Sequence, residues 1–297
     1  MTEKSGEVFD LGYQHYDGPR EGRWRARLAV WKNGMRTALG LGRGPQAKIL
    51  PILLFVAVIV PAVVLSIIAS QVGPLGDVPG HSGYYQIVSI ILFIFAAIIA
   101  PELHCTDRRD GVINLYLVRP LTTTDYVAGR WLAFFSITLV IVYLGQVVLF
   151  LGLMLAADGP LGYVRDNWLD IPRFLAAGFI VGLFTTTLPM AVAAFTTRRA
   201  YASAFVIGLF IISTAVAGAL TGENSVTGDA AKWVALIDIG SVPIHLNDMI
   251  FVNENTSHIA RLVRELPTAV LIGWYVLLTA GPGLVLWWRY RRMGTGT

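Results

Sequence analysis

Six long stretches without a single Asp, Glu, Lys or Arg constrain this chain more than any other feature. They run at approximately 49–69, 84–101, 131–157, 174–195, 200–221 and 268–288. A helix rising 1.5 Å per residue needs about 20 apolar residues to cross the roughly 30 Å hydrocarbon core of a bilayer. Each stretch is close to that length. A soluble globule can bury one or two such helices, but six in 297 residues leave too little polar surface to enclose them. Charged residues make up only 14% of the chain, against roughly 25% in an ordinary soluble domain. The fold class that follows is all-α: a polytopic membrane protein with six transmembrane helices.

The basic residues give the orientation. The N-terminal segment 1–48, loop 102–130, the turn 196–199 and the C-terminal tail together carry 18 of the 23 Lys and Arg residues. The alternate segments, 70–83, 158–173 and 222–267, carry five. Basic loops are retained on the cytoplasmic side, so both termini are expected there, with 222–267 outside. The same charge would lie beside anionic lipid headgroups, which makes membrane lipids, and not nucleic acid, its expected partners. The first 48 residues are polar and lack the apolar core of a cleaved leader.

Two domains of use emerge: a cytoplasmic N-terminal segment, 1–48, and a transmembrane domain, 49–297. Within the first, Trp24, Leu28, Trp31, Met35 and Leu39 recur at helical spacing, and Arg23, Arg27 and Arg36 fall outside that stripe. The pattern predicts an amphipathic helix over 22–41, lying at the membrane interface with Trp24, Leu28, Trp31 and Met35 as its anchor. Packing of the same stripe on other protein is the competing expectation. Residues 42–48 superficially resemble a phosphate loop, but Ala47 stands where Gly must precede the Lys, and Ile49 where Ser or Thr must follow.

Loop 102–130 is the most informative polar part. Asp107, Arg108, Arg109 and Asp110 form a charged cluster before Gly111, and Val112, Ile113, Leu115, Tyr116 and Leu117 follow. Pro120 biases Arg119 towards extended backbone and ends that apolar piece. Thr122 and Asp125 then have the spacing of a capping box for the next helix. So many apolar side chains on a basic loop suggest a docking surface. The external segment 222–267 is expected to hold short helices near 230–238 and 257–265. No catalytic residue and no metal site are expected, because His104 and the lone Cys105 are too few ligands and the other histidines are scattered.

At loop 102–130 the sequence resembles the membrane (permease) subunits of ABC transporters, in the type-2 exporter family. The matching residues are Asp107-Arg108-Arg109-Asp110-Gly111, Leu115-Tyr116-Leu117, Arg119-Pro120, Asp125-Tyr126 and Arg130. Val112 departs from the usual Thr or Ser after the glycine, and His104-Cys105 is atypical. Tyr13-Gln14-His15-Tyr16-Asp17-Gly18-Pro19-Arg20 also looks like an N-terminal signature of bacterial, particularly actinobacterial, permeases. The resemblance implies that Asp107, Arg108, Arg109, Asp110, Gly111, Val112, Ile113, Leu115, Tyr116 and Arg119 contribute the coupling to a cytoplasmic ABC-type ATPase.

It further implies that ATP and Mg²⁺ are held by that partner, with no cofactor on this chain. A second permease copy, or a related chain, completes the pathway in a bacterial plasma membrane. The expected function is a non-enzymatic subunit of an exporter. The alternatives are an ATPase-associated scaffold or sensor that does not itself transport, and a lipid-modifying membrane enzyme. Uncharged spans favour amphipathic or lipid-like cargo.

Overall fold

The computed structural model describes residues 18, 22–72, 79–111, 121–222, 226–252 and 257–294. The expected N-terminal signature, apart from Gly18, and Val112, Ile113, Leu115, Tyr116 and Arg119 of the expected coupling segment lie outside these residues. The described architecture is all-α. A preliminary helix, α1 (Arg23–Ala38), precedes the first long apolar helix, α2 (Gln46–Val72). Then come α3 (His81–Arg109), α4 (Thr123–Ala156), the short α5 (Pro160–Asp166), α6 (Asp170–Ala193) and α7 (Arg199–Thr221). The segment after α7 folds into α8 (Asp229–Ala235), a 3₁₀ turn (Ile239–Ser241), α9 (Val242–Phe251) and α10 (His258–Arg264), and α11 (Thr268–Gly294) closes the bundle.

Helices α2, α3, α4, α6, α7 and α11 are the six long and apolar enough to cross a membrane, in register with the six charge-free runs. Their surroundings differ. In the most apolar part of α6, 67% of residues are buried, and in α3 61%, against 22% in α2, α7 and α11. Helices α3 and α6 therefore form the centre, with the other spans arranged around them. On α2 the outward side chains are Ile52, Leu53, Val56, Val60, Val63 and Ile67, all exposed. An apolar face of that extent suits hydrocarbon and not water.

Two helices outrun the bilayer. Helix α4 has 34 residues and α3 has 29, so they measure about 51 Å and about 43 Å at 1.5 Å per residue. The charge-free runs end at residue 101 and begin again at 131, yet the helices continue through Glu102, Asp107, Asp125 and Arg130. The two short helices expected in segment 222–267 fall over Asp229–Ala235 and His258–Arg264. Helix α9 was not anticipated. It follows α8 after a bend of 78° and packs back against α3 and α6, burying Val242, Pro243, Ile244, His245, Leu246, Asn247 and Asp248.

Candidate functional site

The first turn of α4 is a capping box: the Thr122 hydroxyl accepts from the Asp125 amide, and the Asp125 carboxylate accepts from the Thr122 amide at 3.0 Å. The other end of the segment is equally determined. Helix α3 stops at Asp110, and Gly111 takes φ +68°, the left-handed conformation that glycine adopts at least cost after a helix C-terminus. Local chemistry thus fixes both ends of the segment between α3 and α4.

Behind those ends lies a polar cluster. Asp107 on α3 pairs with Arg130 on α4, and Tyr126 Oη donates to the same carboxylate oxygen at 2.7 Å. The Arg130 side chain is only 2% exposed, so its charge depends on this pairing. One turn earlier, His104 Nδ1 lies 2.8 Å from Tyr290 Oη, which ties α3 to the last turns of α11. Arg108 Nη1 donates to the Ala194 carbonyl and, at 3.3 Å, to that of Thr196, and the Cys105 thiol also reaches the Thr196 carbonyl at 3.3 Å. A guanidinium there satisfies free carbonyls at the C-terminal end of α6, where the helix dipole favours a cation. Glu102 accepts from Arg43 before α2 and from Arg199 at the start of α7. Helix α3 is thereby fastened to five neighbouring segments at one end of the bundle.

Helix α1 joins the same end. Arg23 Nε and Arg27 Nε donate to Asp125 at 2.8 and 2.6 Å, so one carboxylate both caps α4 and anchors α1. Close backbone approach does the rest. A Cβ on Gly34 would lie 2.6 Å from Ala133 Cβ, and one on Gly129 would lie 2.8 Å from Val30 Cγ1. Val30, Gly34 and Ala38 form the buried face of α1. Of the expected anchor, Leu28, Trp31 and Met35 flank that face half-buried, Trp31 Nε1 donates to Ser136 Oγ at 3.3 Å, and Trp24 is 73% exposed.

The expected coupling residues divide. Asp107 and Arg108 turn inward and are used within the bundle, whereas Arg109 and Asp110 are exposed and pair with each other at 3.0 Å. Sequence reasoning missed Glu102, Tyr126, Arg130 and Tyr290 as members of this cluster. Tyr126 and Arg130 entered only through the family resemblance, and Glu102 and Tyr290 stood as a charge and an aromatic residue next to span ends.

The opposite end carries its own polar contacts. Ser82 Oγ donates to Asp248 on α9 at 2.6 Å, and Thr214 Oγ1 donates to Asp238 at 2.7 Å. His81 Nδ1 is 2.6 Å from Gln146 Oε1, which joins the start of α3 to the buried side of α4. Lys232 bridges Asp229 at 2.7 Å and Glu265 at 3.0 Å. These hydrogen bonds raise the Lys232 pKa, and the one to Asp229 lowers that carboxyl below its usual range. An open cavity of about 770 Å³, lined in part by Gln86, Ser89, Asp238 and Arg261, lies between α3, α7 and the short helices α9 and α10. Among the described residues no three His, Cys, Asp or Glu side chains gather as a metal-holding group.

A family model described as ABC-2 family transporter protein matches residues 75–293, from before α3 to the end of α11. No curated protein matches the chain.

Proposed function

The chain belongs to the ABC-2 transporter family, and on that footing we propose that it is the membrane subunit of an ATP-driven exporter. A separate cytoplasmic ATPase binds ATP and Mg²⁺, and two permease chains, identical or related, enclose the path. The arginine-rich end, with both termini, faces the cytoplasm of a bacterial cell, and α8–α10 face outside.

One observation carries this reading. Helices α3 and α4 continue past the hydrocarbon and are bound to each other by the buried Asp107–Arg130 pair. A segment mounted on such a stem moves with the spans, which is what transmission between an ATPase and a path requires. Exposed Arg109 and Asp110 supply screened rim charges, worth little individually. The apolar Val112, Ile113, Leu115 and Tyr116 are the anchors of the contact, at about 1–3 kcal/mol each when desolvated.

The Leu115→Asp/Tyr116→Ala double variant is therefore expected to reach the membrane but to lose co-purification with the cognate ATPase. It should also lose substrate-stimulated ATP hydrolysis in reconstituted vesicles. Arg109→Ala should retain most of both. A double variant that still binds, hydrolyses and transports would remove this segment from coupling.

Orientation has its own measurement. Cys105 is fully buried, so a label must be placed beside it. In a Cys105→Ala background, exposed Gly162→Cys is expected to react with an impermeant maleimide on intact cells, and exposed Asp110→Cys only after permeabilisation. The reverse pattern would invert the bundle.

A further inference from the structure

Helices α7 and α11 both pack on α6 but leave between them a groove of about 760 Å³. Its walls are almost wholly apolar: Phe205 on α7, Val285 and Pro282 on α11, Leu188 on α6 and Phe195 just beyond it. On α11 it extends from Leu277 to Val285, one turn short of Arg289. From Leu277 to Arg289, twelve steps along the helix, is about 18 Å. That is close to the roughly 15 Å depth of one leaflet of hydrocarbon.

At the mouth stand two guanidinium groups. Arg289 lies 5.5 Å from the Phe195 ring centroid, and its buried Nε has no hydrogen-bond partner among the described residues. Arg198 donates to Tyr201 Oη at 3.0 Å, and its guanidinium lies 5.3 Å from that ring. Neither pairs with a carboxylate among the described residues. An apolar slot one leaflet deep, ending at two unneutralised cations at headgroup level, is complementary to a molecule with a hydrocarbon tail and an anionic head.

We propose that this groove is a binding site for an anionic glycerophospholipid of the leaflet at the arginine-rich end. An acyl chain lies between α7 and α11, and the phosphate sits against Arg198 and Arg289. The site rests on the fold alone and is independent of what the protein exports. Occupancy would fill a gap between two spans that both pack on α6, so it would tie the last span to the fifth.

The test uses the full-length protein in mild detergent, titrated separately with dioleoylphosphatidylglycerol and dioleoylphosphatidylcholine and read by native mass spectrometry. The unsubstituted protein is expected to hold the first lipid about tenfold more tightly, because both lipids offer a phosphate but only phosphatidylcholine brings a trimethylammonium cation up to the two guanidinium groups. Arg198→Gln/Arg289→Gln should erase that preference while leaving weak binding of both lipids. Val285→Trp, which fills the slot, should weaken both, and Phe205→Trp provides a second filling variant should the first fail to fold. Unchanged preference in the glutamine variant, or unchanged binding in a filled groove, would overturn the proposal. A disulfide between Phe205→Cys of one copy and Val285→Cys of another would also overturn it, by giving the groove to a second permease.

Discussion

Replacing Arg130 by alanine is expected to cost about 3–5 kcal/mol of stability, because it strips the partner from a charge pair held inside the bundle. Arg130 is nearly inaccessible and Asp107 is 14% exposed. With the arginine gone, the Tyr126 hydroxyl is the one side-chain donor left to that Asp107 oxygen among the described residues, and a cavity opens between α3 and α4. Both effects act in the same direction. The Arg130→Met/Asp107→Leu double variant separates them from the worth of the pair itself. It removes both charges and keeps apolar volume, so most of the lost stability should return. Denaturation of the detergent-solubilised protein gives the comparison. A stability loss below about 1 kcal/mol for Arg130→Ala would mean that water reaches Asp107 freely and that the stem is not braced there.

The same pair explains why the spans were legible in the sequence while their ends were not. Absence of charge marks the hydrocarbon core, so six uncharged runs located six helices. Helix continuation beyond the core depends on whether the next charges are neutralised. Glu102 meets Arg43 and Arg199, and Asp107 meets Arg130. Those partners are distant along the chain, and no local pattern joins them. By contrast, Thr122 and Asp125 are three residues apart, and their capping box could be read directly. The contact of Asp125 with Arg23 and Arg27 could not.

Helix α1 shows a different limit. Hydropathy selected a stripe of Trp, Leu and Met, but volume selected the face that packs. Gly34 lets α1 approach Ala133 more closely than any larger residue could, and the large side chains are left at the flanks. Helix α9 was hidden because its ten residues mix apolar and polar types. Pro243 in its first turn is a local start signal, but burial of Asp248 depends on Ser82, 166 positions away. The candidate coupling site was legible as a cluster of charge followed by apolar residues. Which of those charges face inward was decided by neighbours on α4 and α6.

Close approach also predicts the second large effect, at Gly145. A Cβ there would overlap Tyr84 Oη outright and would lie 2.8 Å from Tyr84 Cζ and from Val58 Cγ1. Tyr84 is fully buried, and its hydroxyl donates to the Val58 carbonyl at 3.0 Å, so α2, α3 and α4 meet around this one position. Gly145→Ala is therefore expected to destabilise by about 1–3 kcal/mol through overpacking, despite the roughly 1 kcal/mol by which alanine favours a helix over glycine. Gly273→Ala is the control, because its Cβ would meet nothing within 4 Å. It should be neutral or slightly stabilising. Tyr84→Phe removes the hydroxyl that the new methyl strikes, at a cost of about 0.5–1.5 kcal/mol for the lost hydrogen bond. Introduced into that background, Gly145→Ala should cost less than it does alone, because part of the overlap is gone. Thermal unfolding midpoints of the four proteins close the cycle. Strict additivity would mean that α4 shifts away as a rigid body, and that the three-helix contact at Tyr84 does not set the spacing of the bundle.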